Sequence, residues 1–169
     1  DYIADVASVI RGLGPLQGKR EGFIVCGHSM GGTVANMLTG SMPDRVRALI
    51  LLEGVGPPAM SPEVAVFRMR RWLEQLADPP PERILDDEED ALHRLVRHHA
   101  RVARDVLQSR VPLLTRRNSE GQLVWSHDPL HRSTAPTPFY AEAFKSFLGV
   151  VACPTLFISG GKAGWHPPD

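Results

Sequence analysis

The segment Phe23-Ile24-Val25-Cys26-Gly27-His28-Ser29-Met30-Gly31-Gly32 decides the fold of this chain. Its first four residues are apolar and predict a strand, and residues 33–38 predict a helix. A serine between a strand and a helix, flanked by glycines, is typical of a very tight turn that leaves the hydroxyl projecting from the sheet edge. We expect a side chain at Gly27 or Gly31 to collide with neighbouring backbone, because strand and helix pass close together there.

The pentapeptide Gly27-His28-Ser29-Met30-Gly31 fits the pattern G-x-S-x-G of a nucleophile elbow. In an elbow the serine is the nucleophile, and the backbone N–H of the next residue, here Met30, points at the place where an oxyanion forms. The positive end of the helix assists that N–H. The predicted strand and helix are the context that the pattern requires, so a glycine-rich turn with an inert serine is the weaker alternative.

The composition is that of a soluble globular domain. The 169 residues are 43% hydrophobic and 22% charged, with a formal net charge of zero. This balance favours neither nucleic acid nor an anionic membrane, and no apolar stretch has membrane-spanning length. Cys26 and Cys153 lie in apolar strand-like segments, where reduced, buried thiols are expected, and no metal-ligand spacing is present. We therefore expect a cytoplasmic protein with no metal or cofactor.

The order of elements over residues 1–53 is helix, strand, tight turn, helix and strand. Apolar spacing over residues 1–10 predicts the first helix, and residues 45–52 predict the second buried strand. This order implies a parallel sheet covered by helices, which is an α/β fold. We assign residues 1–58 to this core.

Charged amphipathic helices are predicted from residue 59 to residue 138. One covers residues 64–73, and apolar positions between residues 91 and 107 form a further stripe at helical spacing, with no strand alternation. The acidic run at residues 86–90 is best explained as a helix N-terminus, not as a metal site. Residues 139–169 return to the core with a helix at 140–148 and a buried strand at 154–159. We interpret residues 59–138 as a helical lid over an α/β active site.

Together these features resemble the α/β-hydrolase superfamily and, within it, the serine hydrolase-like group. The elbow and the strand after it carry the superfamily resemblance, and two segments narrow it: Glu53-Gly54-Val55-Gly56-Pro57-Pro58 and Trp125-Ser126-His127-Asp128-Pro129. The resemblance implies a partial α/β-hydrolase fold, with parallel sheet segments flanked by helices, a helical lid insertion and incomplete ends. It also implies a small-molecule substrate, an ester, thioester or amide, that forms an acyl-enzyme on Ser29.

Such a serine needs a histidine base and a carboxylate that orients the base. The resemblance most often places the carboxylate in the loop after the strand at residues 155–159, where this chain has Gly161-Lys162-Ala163-Gly164. A second known position is the end of the strand after the elbow helix, where Glu53 stands. Glu53 is therefore the candidate acid. The alternative of equal weight is a carboxylate that loop N–H groups stabilise without a catalytic role. Asp169 lies too far along the chain.

The resemblance places the catalytic histidine beyond a further helix and strand, so we expect the histidine outside this chain and the chain alone to be inactive. His28 adjoins the nucleophile but is directed differently from the Ser29 hydroxyl. The remaining histidines lie in the predicted lid or the last loop, and none is a convincing base: His93, His98, His99, His127, His131 and His166. Two alternatives stay open, namely a non-catalytic binding scaffold and other chemistry on the same fold, such as carbon–carbon hydrolysis.

Overall fold

The computed structural model describes residues 2–14 and 22–164. Within them the helices are α1 (Tyr2–Gly12), α2 (Met30–Ser41), α3 (Ala65–Ala77), α4 (Glu88–His98), α5 (Arg104–Leu114) and α6 (Ala141–Gly149). The strands are β1 (Phe23–His28), β2 (Val46–Leu52), β3 (Ile84–Leu85), β4 (Thr115–Arg117), β5 (Leu123–Trp125) and β6 (Thr155–Ile158). The chain forms two compact units. The sheet unit comprises Asp1–Ser61 and Pro138–Asp169, and the insert unit comprises Pro62–Thr137.

A parallel sheet with the strand order β1-β2-β6 organises the sheet unit. His28 pairs with Leu52, and Leu52 pairs with Ile158, so the carboxyl ends of all three strands lie at one edge of the sheet. Helices α1, α2 and α6 flank these strands in the sheet unit. The predicted α/β fold, with parallel strands flanked by helices, is confirmed.

One face of this sheet is more closely packed than the other, which we call the open face. Leu49 and Leu51 of β2 are buried in one cluster with Ala35 of α2. On the other face Ile24 and Leu156 are each about half exposed, at 51% and 53%. In the part of the chain that the structure describes, β6 pairs on one side only and its four residues are exposed. The strand predicted at residues 154–159 is present as β6, but the expectation that it is buried was wrong.

The same open face corrects the prediction for the cysteines. Cys26 is exposed and Cys153 is half-buried. Side chains alternate along a strand, so Cys26 shares the open face with Ile24, while Gly27 lies on the packed face. The apolar run predicted the strand correctly but could not indicate which of its faces is covered.

The insert unit contains helices and a small antiparallel sheet, with the strand order β3-β5-β4. Two expectations were wrong here: strands do interrupt the helices, and the single stripe at residues 91–107 divides into α4 and α5. The strands have two or three residues, too few to show alternation. Leu95 of α4 and Leu107 of α5 pack into the same core cluster, so the apolar spacing continues across the break between the helices.

The acidic run forms the beginning of α4, as predicted. The Asp87 carboxylate accepts a hydrogen bond from the N–H of Asp90 at 2.8 Å and caps the helix. The Asp90 carboxylate binds the Arg94 guanidinium through contacts of 2.8 and 2.9 Å. This hydrogen-bonded pair lowers the pKa of Asp90 and raises that of Arg94.

Among the described residues, no helix combines the length and the apolar character that a bilayer crossing requires.

Candidate active site

Ser29 occupies the turn between β1 and α2. Its backbone angles are φ 52° and ψ −120°, a left-handed conformation that is strained for a residue with a side chain. The turn is held from both sides. The N–H of Ser29 donates to the carbonyl of Leu52 at 2.8 Å, and its carbonyl accepts from the N–H of Gly32 at 2.9 Å. The residue is exposed, and its hydroxyl makes no capping bond to α2.

The glycines around Ser29 differ in what they make room for. A Cβ on Gly27 would overlap the carbonyl of Gly31 and lie 2.6 Å from the N of Gly32, as expected for a close strand–helix approach. A Cβ on Gly31 would meet no described atom within 4 Å, so the expected collision there was wrong. The second close approach is at Gly32, where a Cβ would lie 2.5 Å from the Cα of Gly54. The first turn of α2 brings Gly32, not Gly31, against the end of β2.

Two further residues of the predicted elbow lie at the same edge of the sheet. Met30 is the first residue of α2, and the N–H groups in the first turn of a helix have no acceptor within the helix. The Met30 side chain is 60% exposed. His28 is exposed and lies on the open face of the sheet with Cys26. The oxyanion role of the Met30 N–H stays a prediction.

Glu53 directly follows β2 and also has a positive φ, of 53°. Its N–H donates to the carbonyl of Ile158 at 2.9 Å, which ties it to the end of β6. The Oε1 atom accepts a hydrogen bond from the N–H of Gly160. The carboxylate therefore lies against the loop that follows β6, and the residue is half-buried.

The register brings Ser29 and Glu53 together. Each follows one member of the pair His28 and Leu52 on adjacent parallel strands, which are separated by about 4.8 Å. They are the two non-glycine residues with positive φ in the described ranges. Residues held in sparsely populated conformations cluster at functional sites. The two residues that the sequence selected as nucleophile and acid are thus adjacent and similarly strained.

The two family-like segments have structural roles. Gly54 permits the approach of α2 described above, and Gly56 adopts φ +88° where a Cβ would lie 2.6 Å from the Phe139 ring. In the insert unit, Trp125 packs against the hydrophobic cluster. The Asp128 carboxylate accepts from the N–H of Leu130 at 2.8 Å and caps a short 3-10 turn.

The histidines of the described ranges are exposed, and His93 contacts the Glu89 carboxylate at 3.0 Å. His166 and Asp169 lie outside the described residues. The position of the base stays a prediction. Sequence reasoning missed Gly160 and Gly164, whose backbones lie against the Glu53 carboxylate. The available signal was the run of glycines in this loop, considered together with the absence of a carboxylate from it.

A parallel sheet whose edge carries a strained serine between strand and helix is the arrangement of an α/β hydrolase. The chain belongs to the alpha/beta hydrolase family, whose sequence profile matches residues 1–167. Part of it is similar to a serine hydrolase-like protein of Danio rerio, with 44% identity over 55 residues. That match covers 32% of this chain and 15% of the relative.

Solved structures show the same fold. A thioesterase domain from the curacin biosynthetic pathway has a TM-score of 0.77 and 24% identity, over 95% of this chain and 54% of that one. A hypothetical protein from Pseudomonas aeruginosa PAO1 has a TM-score of 0.78 and 23% identity, over 93% and 54%. An esterase from Mycobacterium tuberculosis has a TM-score of 0.60 and 22% identity, over 95% and 48%. The chain thus spans about half the length of these structures.

Proposed function

We propose that the full-length protein is a serine hydrolase that cleaves an ester, thioester or amide through an acyl-enzyme on Ser29. The observation that carries this proposal is the backbone of Ser29, which is strained, exposed and held between β1 and α2. Family membership supports a hydrolase, and the similar structures include an esterase and a thioesterase. A cytoplasmic location and a small-molecule substrate remain part of the proposal.

In the proposed reaction the Ser29 oxygen attacks the substrate carbonyl carbon while a histidine accepts the hydroxyl proton. The carbonyl π electrons move to oxygen, and the Met30 N–H donates to the resulting oxyanion. Collapse of the tetrahedral intermediate breaks the bond to the leaving group, which takes the proton from the histidine. Water, activated by the same histidine, then cleaves the acyl-enzyme and regenerates the serine.

Glu53 is proposed to orient the histidine and to stabilise its protonated form. Three features support this role: its place beside Ser29 in the strand register, its positive φ and the partial burial of the residue. Hydrogen bonding to a backbone N–H fixes the position of the carboxylate. The purely structural interpretation explains the same hydrogen bond, and it predicts that Glu53→Gln retains near-normal activity.

The insert unit is proposed to act as the lid and to select the acyl part of the substrate. Helix α3 has no buried residue, and Val66, Met69 and Leu73 are 72%, 40% and 53% exposed. With Ala65, Arg70 and Glu74 they line a shallow concavity of about 590 Å³ on this helix. An apolar surface of this kind suits an acyl chain.

An active-site probe tests the proposal. A fluorophosphonate should label the full-length protein, and peptide mapping should find the label on Ser29. Ser29→Ala should abolish labelling and turnover of a nitrophenyl ester. Ser8→Ala is a matched control, because Ser8 lies on the exposed surface of α1 and donates to the carbonyl of Ala4 at 2.9 Å. Equal hydrolysis by Ser29→Ala and wild type would contradict the proposal and favour a non-catalytic scaffold or another nucleophile.

A further inference from the structure

We propose that Gly160 and Gly164 are positioning residues that hold the Glu53 carboxylate in place for the base. The inference rests on the proposed function, in which Glu53 orients a histidine. It goes beyond that function because it assigns a task to a loop that contains no carboxylate of its own between residues 160 and 164.

The pairing of β2 with β6 places Glu53 beside this loop. Leu52 pairs with Ile158 in the parallel register of β2 and β6, and the Glu53 N–H donates to the Ile158 carbonyl at 2.9 Å. The chain after β6 therefore starts beside Glu53. It then turns back on itself, with the N–H of Gly164 donating to the carbonyl of Gly161 at 2.9 Å.

The two glycines lie against one carboxylate oxygen of Glu53. The Gly160 N–H donates to Oε1 of Glu53. A Cβ on Gly160 would lie 2.8 Å from Oε1, and a Cβ on Gly164 would lie closer still. The backbones of the glycines also approach each other, since a Cβ on Gly160 would be 2.9 Å from the Cα of Gly164. A side chain at either position would have to displace the carboxylate, the backbone of the other glycine, or both.

Backbone conformation does not explain why residues 160 and 164 are glycines. Gly160 has φ −76° and Gly164 has φ −80°, values that any residue adopts. Gly161 between them has φ +68°, so its conformation alone accounts for a glycine there. At Gly160 and Gly164 the missing side chains make room both for the Glu53 carboxylate and for each other's backbone, since a Cβ on Gly164 would also lie 2.7 Å from the Cα of Gly160. The restriction matters chemically because catalytic groups must be held within about 0.5 Å of their productive position.

The test uses alanine variants of the full-length protein. In Gly164→Ala and Gly160→Ala, the added methyl group should displace the carboxylate by about 1 Å, which lowers kcat by about 10²-fold and leaves KM nearly unchanged. Gly149→Ala is the control, because a Cβ there meets no described atom within 4 Å and the φ is not positive. It should retain wild-type kcat.

A double-mutant cycle separates positioning from general damage to the loop. If Gly164 acts through Glu53, the double variant Glu53→Gln/Gly164→Ala should be no slower than Glu53→Gln alone. Multiplication of the two losses would overturn the inference. If Gly164→Ala unfolds, the same cycle with Glu53→Gln and Gly160→Ala decides. Losses that do not multiply support the contact, and losses that multiply overturn it.

The outcomes distinguish this inference from the proposed function. Wild-type turnover by Glu53→Gln would remove Glu53 from the mechanism and with it the need for positioning. A slow Glu53→Gln variant together with wild-type kcat in both alanine variants would overturn only the role of the glycines.

Discussion

Ser29 and Glu53 continue from a directly paired couple of residues on neighbouring parallel strands, and both adopt left-handed φ, of 52° and 53°. The N–H of Ser29 bonds to Leu52, while the N–H of Glu53 bonds to Ile158, so each strand end is fastened to its neighbour. The sheet therefore fixes the spacing of the two residues, and the strained turns fix their direction. A substitution that relieves the strain in either turn should therefore stabilise the fold and lower the activity.

The first prediction concerns the strain at Ser29. A non-glycine residue with positive φ is destabilised by about 1–3 kcal/mol, and glycine relieves this at the expense of a more flexible unfolded chain. Ser29→Gly should therefore have a free energy of unfolding about 1 kcal/mol above that of Ser29→Ala, although both lack the nucleophile. Urea denaturation of the two variants measures the difference. Equal stability would show that the surrounding hydrogen bonds, not conformational strain, dominate the turn.

The second prediction concerns Asn36 in α2, which is fully buried. Neither its Oδ1 nor its Nδ2 has a hydrogen-bond partner in the part of the chain that the structure describes. Burying such a group costs about 1–3 kcal/mol, so Asn36→Leu, similar in shape, should raise the free energy of unfolding by about 1 kcal/mol. In the control Thr39→Val, the lost hydrogen bond to Ala35, of 2.7 Å, should lower it by a similar amount. Destabilisation by Asn36→Leu would contradict the prediction.

Most of the fold around the site could be predicted from the sequence because its signals are local. The apolar run before Gly27 and the glycines around Ser29 specify strand, turn and helix without knowledge of distant residues. The exposure of Cys26 and of β6 could not be predicted, because an apolar run does not reveal which strands and helices cover it. The steric role of Gly32 depends on Gly54, a contact between segments far apart in the sequence.

The candidate acid shows the same limit. Glu53 could be predicted as the candidate acid from its position at the end of β2. Its contact with Gly160 could not, because the contact spans 107 residues of sequence and depends on the pairing of β2 with β6. The division of the predicted stripe into α4 and α5 was missed for a related reason. The spacing of the apolar residues indicates that Leu95 and Leu107 face a common core. It does not indicate whether they lie on one helix or on two.

The third prediction is a pH dependence of stability from Asp90 and Arg94. Because the pKa of Asp90 is lower in the folded protein, its ionised form stabilises the fold above its unfolded pKa of about 3.9. That contribution is lost as the pH falls through the lower folded value. Arg94→Met should therefore be destabilised at pH 7, and its difference from wild type should shrink in acid.

Urea denaturation at pH 7 and at pH 2–3 tests this dependence. Arg71→Met is the control, since Arg71 and Glu74 are 3.8 Å apart and both more than half exposed. Exposed pairs contribute little to stability, so this variant should behave like wild type at both pH values. An Arg94→Met difference that is unchanged between neutral and acidic pH would contradict the lowered pKa of Asp90.

The last prediction concerns the substrate preference that the proposed lid confers. Met69 and Leu73 of α3 are 40% and 53% exposed, so replacing them with serine removes apolar surface without opening a cavity in a core. If the concavity on α3 binds the acyl chain, these variants should lose kcat/KM toward long-chain nitrophenyl esters. Each methylene of a bound chain contributes about 0.8 kcal/mol when fully buried, so the loss should grow with chain length, while acetate ester turnover stays near wild type. Phe67→Ser is the control, because Phe67 is 68% exposed on the same helix but does not line the concavity. If wild type, Met69→Ser and Leu73→Ser show the same dependence of kcat/KM on chain length, α3 does not select the substrate.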